Sequence, residues 1–196
     1  MTATAKTLRY AAFTLMVLFG LLGGLIVAGY AFEDPGGWTA VLMTAGWVLP
    51  MLGLVGYALV RKAAAGPVFV AVTALVALAT VLDSLWEVVP RDDWGPVLAI
   101  GVFSLGVALA FLGLYRARLA GLLLVLLALV QLGANILLHT VHGGLAEGPG
   151  LAAVLGGSSG VVVLPLLLVG VLFLASGSAA HEHLRMDHGP TASPAH

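Results

Sequence analysis

Charge is so thinly spread along this chain that it leaves six long uncharged blocks, residues 10–32, 35–60, 63–82, 94–115, 119–146 and 148–181. Each is as long as the roughly 20 residues a helix needs to cross a hydrocarbon layer about 30 Å thick. A helix is the spanning form because it satisfies its own backbone hydrogen bonds where no water can. The expectation is an all-α, polytopic membrane protein, a bundle of six transmembrane helices with approximate spans 9–31, 38–60, 67–88, 95–115, 119–141 and 151–175. Residues 1–176 then form the membrane domain, and 177–196, rich in Ser, Gly, Pro and His, a disordered tail.

Composition agrees. Of 196 residues, 61% are hydrophobic and 9% charged, against about half and a quarter in a soluble domain. A formal net charge of −1 offers no basic field for nucleic acid, which is excluded as a partner. The absence of cysteine excludes disulfides, thiol catalysis and thiolate metal sites. Lys6 and Arg9 before an apolar run that includes Gly29-Tyr30-Ala31 suggest a secretory signal, but Tyr10 to Ala31 is longer than the roughly 7–15 residues of a signal core. It is read as the first span.

Cations set the orientation. Lys6, Arg9, Arg61, Lys62, Arg116, Arg118 and Arg185 fall on one side of a six-span chain, and only Arg91 on the other. The positive-inside rule makes that side cytoplasmic and puts both termini there. Glu33, Asp34, Asp92, Asp93 and Glu147 occupy the outer turns. Aromatic side chains favour the headgroup level: Tyr10, Tyr57 and Tyr115 fall at inner ends, and Tyr30, Trp38, Trp86 and Trp94 at outer ends. The turns are too short for a soluble domain, so the partners expected are the lipid bilayer and other membrane subunits or further copies of the chain. The location expected is a bacterial cytoplasmic (inner) membrane.

Gly37-Trp38, Trp94-Gly95 and Gly150-Leu151 open the three returning helices alike, but alternating acidic and basic turns follow from topology alone and do not establish a repeat. Pro50 and Pro165 inside spans, Gly20-x-x-x-Gly24 and Gly156-x-x-x-Gly160 read first as packing devices.

Ionisable groups at membrane depth are costly, by roughly 2.5–3.5 kcal/mol at a helix centre, which makes them the place to look for function. Asp83 is the deepest, and Glu87 lies one turn further out. At 100° per residue, Thr73, Thr80, Asp83, Ser84 and Glu87 share an arc of about 100° on the third helix. Gln131, Asn135, His139 and His142 share about 80° of the fifth. Asn135 stands near the depth of Asp83 and His139 near that of Glu87, so the two stripes are expected to face each other or a common outward-facing pocket. Structural glue between helices is the competing reading of the same groups.

Two chemistries suit such a pocket. Asp83 and His139 could take up and release protons, as in a proton-coupled carrier, imidazole being the group that changes charge near neutrality. Alternatively Asp83, Glu87, His139 and His142 could hold a divalent metal such as Zn²⁺ or Mn²⁺, although no recognised ligand motif is present and no cofactor is otherwise expected. In the tail, His181, Glu182, His183, Asp187 and His188 could bind such ions weakly.

One stretch points to an enzyme. Gly157-Ser158-Ser159-Gly160 resembles the Gly-x-Ser-Gly stretch of rhomboid intramembrane proteases over four residues. That resemblance implies a six-helix core and a Ser–His dyad with Ser158 or Ser159 as nucleophile. The family's histidine follows the serine on a later helix, within Ala-His-x-x-Gly, whereas here His139 and His142 precede it and no span follows. A membrane-embedded hydrolase, serine-type or metal-dependent, is therefore the alternative. The leading reading is a non-enzymatic membrane protein, transporter-like or an accessory subunit, with Asp83, Glu87, Gln131, Asn135, His139 and His142 as pocket residues.

Overall fold

Where they are described, the uncharged blocks are helical. In the computed structural model residues 3–33, 37–86, 91–141 and 158–187 are described, with side-chain surroundings for all but 27–33, 39–40, 43, 91–100, 138–141, 158–161 and 180–187. They form α1 (Ala3–Glu33), α2 (Gly37–Val60), α3 (Ala65–Trp86), α4 (Arg91–Gly113), α5 (Ala117–Val141) and α6 (Ser158–Asp187). Four contain stretches long and apolar enough to cross a membrane: Ala3–Ile26, Ala65–Trp86, Ala117–Leu137 and Val162–Ala179. α2 and α4 contribute shorter apolar stretches, Thr44–Val60 and Gly101–Gly113, among the described residues.

Observed and expected ends of the first five helices differ by a few residues. The sixth departs further, because α6 continues to Asp187 through the segment expected to be a disordered tail from 177. The reason is local: Ala179, Ala180, Glu182, Leu184, Arg185 and Met186 favour helix, and the first strong breakers after Gly177 are Gly189 and Pro190. Pro50 and Pro165 both lie inside helices. Gly37, at the start of α2, has φ of 60°, the left-handed conformation that glycine reaches without steric cost.

Helix α4 is the centre. It packs against α1, α2, α3, α5 and α6, while α5 and α6 form the most extensive pair and α1 closes on α6. α2 lies on α4 and α1, α3 lies on α5 and α4, and α2 and α3 make no more than glancing contact. Small residues allow the central position. A Cβ on Gly101 would enter the Trp47 ring of α2, one on Gly106 would meet Met16 of α1 and Leu166 of α6, and one on Gly113 would enter the Phe173 ring. Phe13 and Phe111 meet edge to face at 4.9 Å between α1 and α4. On α1 it is Gly20 and Gly23 that face α4, against Val107 and Phe103, whereas Gly24 faces nothing. Gly156 lies outside the described residues.

The outside is apolar. Leu22, Leu42, Leu49, Leu75, Leu122, Leu129, Leu168 and Val171 are all half or more exposed, while the interior of α5 and α6 holds Ala120, Ala128, Gly121, Gly170 and Ser176. Large apolar groups outside, and small residues that let α5 and α6 approach beside buried Leu124, Leu127, Leu166 and Phe173, suit lipid: no hydrophobic force drives membrane helices together, so close packing must do it. The chain has the build of a multi-pass membrane protein in contact with lipid.

Contacts gather the basic turns at one end. Arg9 Nη1 donates to the Leu114 carbonyl (3.2 Å), Arg116 Nη2 donates to the Ala63 carbonyl (2.8 Å), and the Lys62 ammonium lies 4.5 Å from the centre of the Tyr115 ring. Arg118 lies against Gly177. The start of α1, the α2–α3 and α4–α5 turns and the later part of α6 therefore share an end, and successive helices alternate in direction. Exposed Trp38 and Trp86 mark the opposite end.

Candidate functional site at the α3–α5 interface

Helices α3 and α5 both start at the basic end, so they run parallel, and their polar stripes meet. Gln131 Nε2 donates to Thr80 Oγ1 at 3.2 Å, and the Thr80 hydroxyl in turn donates to the Val76 carbonyl at 2.9 Å. Thr80 thus uses its oxygen as acceptor across the interface and its proton within its own helix.

Above this pair the stripes continue in step. Asp83 lies three residues beyond Thr80 and Asn135 four beyond Gln131, a rise of roughly 4.5 and 6 Å at about 1.5 Å per residue. Asp83 is 7% exposed and Ser84 3%. Ser84 Oγ donates to the Val81 carbonyl (2.8 Å) and Asn135 Nδ2 to the Gln131 carbonyl (2.8 Å). Neither Asp83 nor Asn135 is without a partner. Counted from the Thr80–Gln131 bond at about 1.5 Å per residue, Asp83 and Asn135 differ by about 1.5 Å in height, on helices that touch.

Below the pair the stripe ends differently. Thr73, 1% exposed, is about 10 Å deeper along α3 than Thr80. Its hydroxyl oxygen has no hydrogen-bond partner. Helix residues of its type usually return the proton to a backbone carbonyl one turn back, as Thr7 and Thr80 do here.

The rest of the expected set falls outside what is described. Glu87 and His142 lie outside the described residues, and His139 is on α5 but without described side-chain surroundings. Among the described residues no group of three His, Asp or Glu comes together that could hold a metal ion; of the four-residue metal set only Asp83 has described side-chain surroundings. Ser158 and Ser159 open α6, and their side chains, like those of His181, Glu182, His183 and Asp187, are likewise outside the description, as is His188. No observation among the described residues favours hydrolysis.

Sequence reasoning missed the cross-helix contacts at the basic end. Arg9, Lys62 and Arg116 counted only as markers of orientation, yet each is held by a carbonyl or ring on a neighbouring segment. The recoverable signal was the closeness of Tyr115 and Arg116 in the α4–α5 turn to Arg61 and Lys62 in the α2–α3 turn once both turns are put on one side. Compared with protein-family models, curated proteins and solved structures, the chain matches none.

Proposed function

We propose that this chain is a six-span protein of a bacterial cytoplasmic membrane, both termini inside, which works as a transporter-like protein or an accessory membrane subunit. Its α3–α5 interface forms an outward-facing polar pocket for a proton or cation, with Asp83 as the group that binds it. Asn135 and Gln131 line the pocket with it, and Glu87, His139 and His142, which continue the same two stripes in the sequence, complete the proposed set.

The observation that carries this reading is the Gln131–Thr80 hydrogen bond, which joins the two polar stripes one turn below a buried carboxylate. Glue alone would need only that bond. A carboxylate at membrane depth adds a cost that helix packing does not require, and a site for a positive charge gives a reason for it. Orientation is supported by the clustering of the basic turns at one end and of exposed Trp38 and Trp86 at the other.

The test is transport in proteoliposomes. An imposed pH or cation gradient should relax faster with the wild-type protein than in empty vesicles, and Asp83→Asn, which keeps shape and removes the charge, should return it to the empty-vesicle rate while leaving helicity and elution volume unchanged. A variant that relaxes the gradient at the wild-type rate removes Asp83 from the mechanism. A wild-type protein no faster than empty vesicles removes transport.

A further inference from the structure

Beyond the polar pocket, we infer that the basic end carries a binding site for an anionic phospholipid, its phosphate held by Arg61, Lys62 and Arg116 and its acyl chains lying along α2 and α3. The inference rests on the membrane placement proposed above and not on the pocket.

Two of the three cations there, Arg116 and Lys62, are held in place. Arg116 crosses the α2–α3 turn to bond the Ala63 carbonyl, and its guanidinium lies close to Gly66 in the first turn of α3. Lys62 rests on the Tyr115 ring. Arg61, Lys62 and Arg116 are nonetheless exposed. A guanidinium has five N–H donors and an ammonium three, so the Ala63 bond of Arg116 and the ring contact of Lys62 engage only part of their donor capacity. Neither turn, 61–64 nor 114–116, contains an acid to compete for them. Fixing long cationic side chains before a ligand arrives removes part of the entropy that binding would otherwise cost.

The surrounding surface fits a lipid better than a soluble anion. Val60 (78% exposed) adjoins Arg61, and Leu59 and Val70 are exposed on the two helices that leave the turn. Those helices make no more than glancing contact with each other. A phosphodiester at the turn would therefore place its chains against apolar side chains at the correct depth. Cations near a membrane surface attract anionic lipid by about fivefold in affinity each.

Native mass spectrometry of the full chain in neutral detergent, titrated with phosphatidylglycerol or phosphatidylcholine, tests this. Phosphatidylglycerol should bind roughly tenfold or more tightly than phosphatidylcholine, and Arg61→Gln/Lys62→Gln should remove most of that preference. Lys6→Gln/Arg185→Gln, with the same loss of charge, and the charge-keeping Arg61→Lys/Lys62→Arg should both retain it. Equal binding of the two lipids, or equal loss in the two neutralising variants, overturns the site in favour of diffuse surface charge. Displacement of the lipid by millimolar inorganic phosphate overturns it in favour of a soluble anion. Should the neutralising variants fail to fold, the lipid comparison and phosphate competition on the wild type decide alone.

Discussion

Thr73 and Thr80 stand two turns apart on the same face of α3 and do opposite things. Thr80 accepts from Gln131 and donates to Val76, whereas Thr73 is buried with its hydroxyl unpartnered. Removing the first hydroxyl should therefore cost and removing the second should not. Thr80→Val is expected to lose about 0.6–2 kcal/mol of stability, the range for polar contacts between membrane helices. Thr73→Val keeps the shape and relieves an unsatisfied group, and should leave stability within about 0.5 kcal/mol or raise it. Unfolding in mixed micelles measures both. A large loss at Thr73→Val would mean that its hydroxyl has a partner after all, and coupling of Thr80→Val with Gln131→Leu isolates the cross-helix bond. The stripe itself was readable as a sequence pattern, since its angular spacing follows from helix geometry. Which of its members pair was not, because that depends on the rotation of α5 against α3.

Among the elements, the α5–α6 pair shows how closely membrane helices approach when glycine lets them. A Cβ at Gly121 would stand 2.8 Å from the Gly170 carbonyl oxygen and 2.9 Å from the Leu174 nitrogen, and one at Gly170 would stand 3.1 Å from the Val125 nitrogen. These are backbone atoms, which cannot turn aside as a side-chain end can. Gly121→Ala and Gly170→Ala should each force the helices apart and destabilise by about 1–3 kcal/mol. Gly133→Ala, on the same helix with nothing within 4 Å, should be neutral or stabilise by up to about 1 kcal/mol, since alanine loses less backbone entropy than glycine. Thermal unfolding in detergent distinguishes them, and equal effects at the three sites would refute the close approach. The sequence motif Gly20-x-x-x-Gly24 misled by one residue: Gly23, not Gly24, meets α4, because the contact follows the rotation of α1 and not the spelling of the motif.

For the whole molecule, the contacts that gather Arg9, Lys62, Arg116 and Arg118 at one end make a topology prediction that the chain is well suited to test, having no native cysteine. Single cysteines at Ala63 and Ser178, both exposed, should react with a membrane-impermeant maleimide only when the cytoplasmic face is opened. A cysteine replacing Trp38 at the other end should react from outside in intact spheroplasts. Labelling of Ala63→Cys and Ser178→Cys from opposite faces would refute the alternating arrangement.

Six helical stretches and the gathering of the basic turns at one end were legible in the sequence, because lipid imposes both: an uncharged run of about 20 residues must close its own hydrogen bonds, and lysine and arginine collect on one side of the spans. Helix order within the bundle was not legible. Every stretch draws on the same Leu, Val, Ala and Gly, and lipid is as apolar as a neighbouring helix, so composition carries no preference for one partner over another. Only packing selected α4 as the centre, brought Gln131 to Thr80, and set Arg116 across the turn that holds Arg61 and Lys62. Steric fit between small residues decides these matters, and it exists only once the helices are side by side.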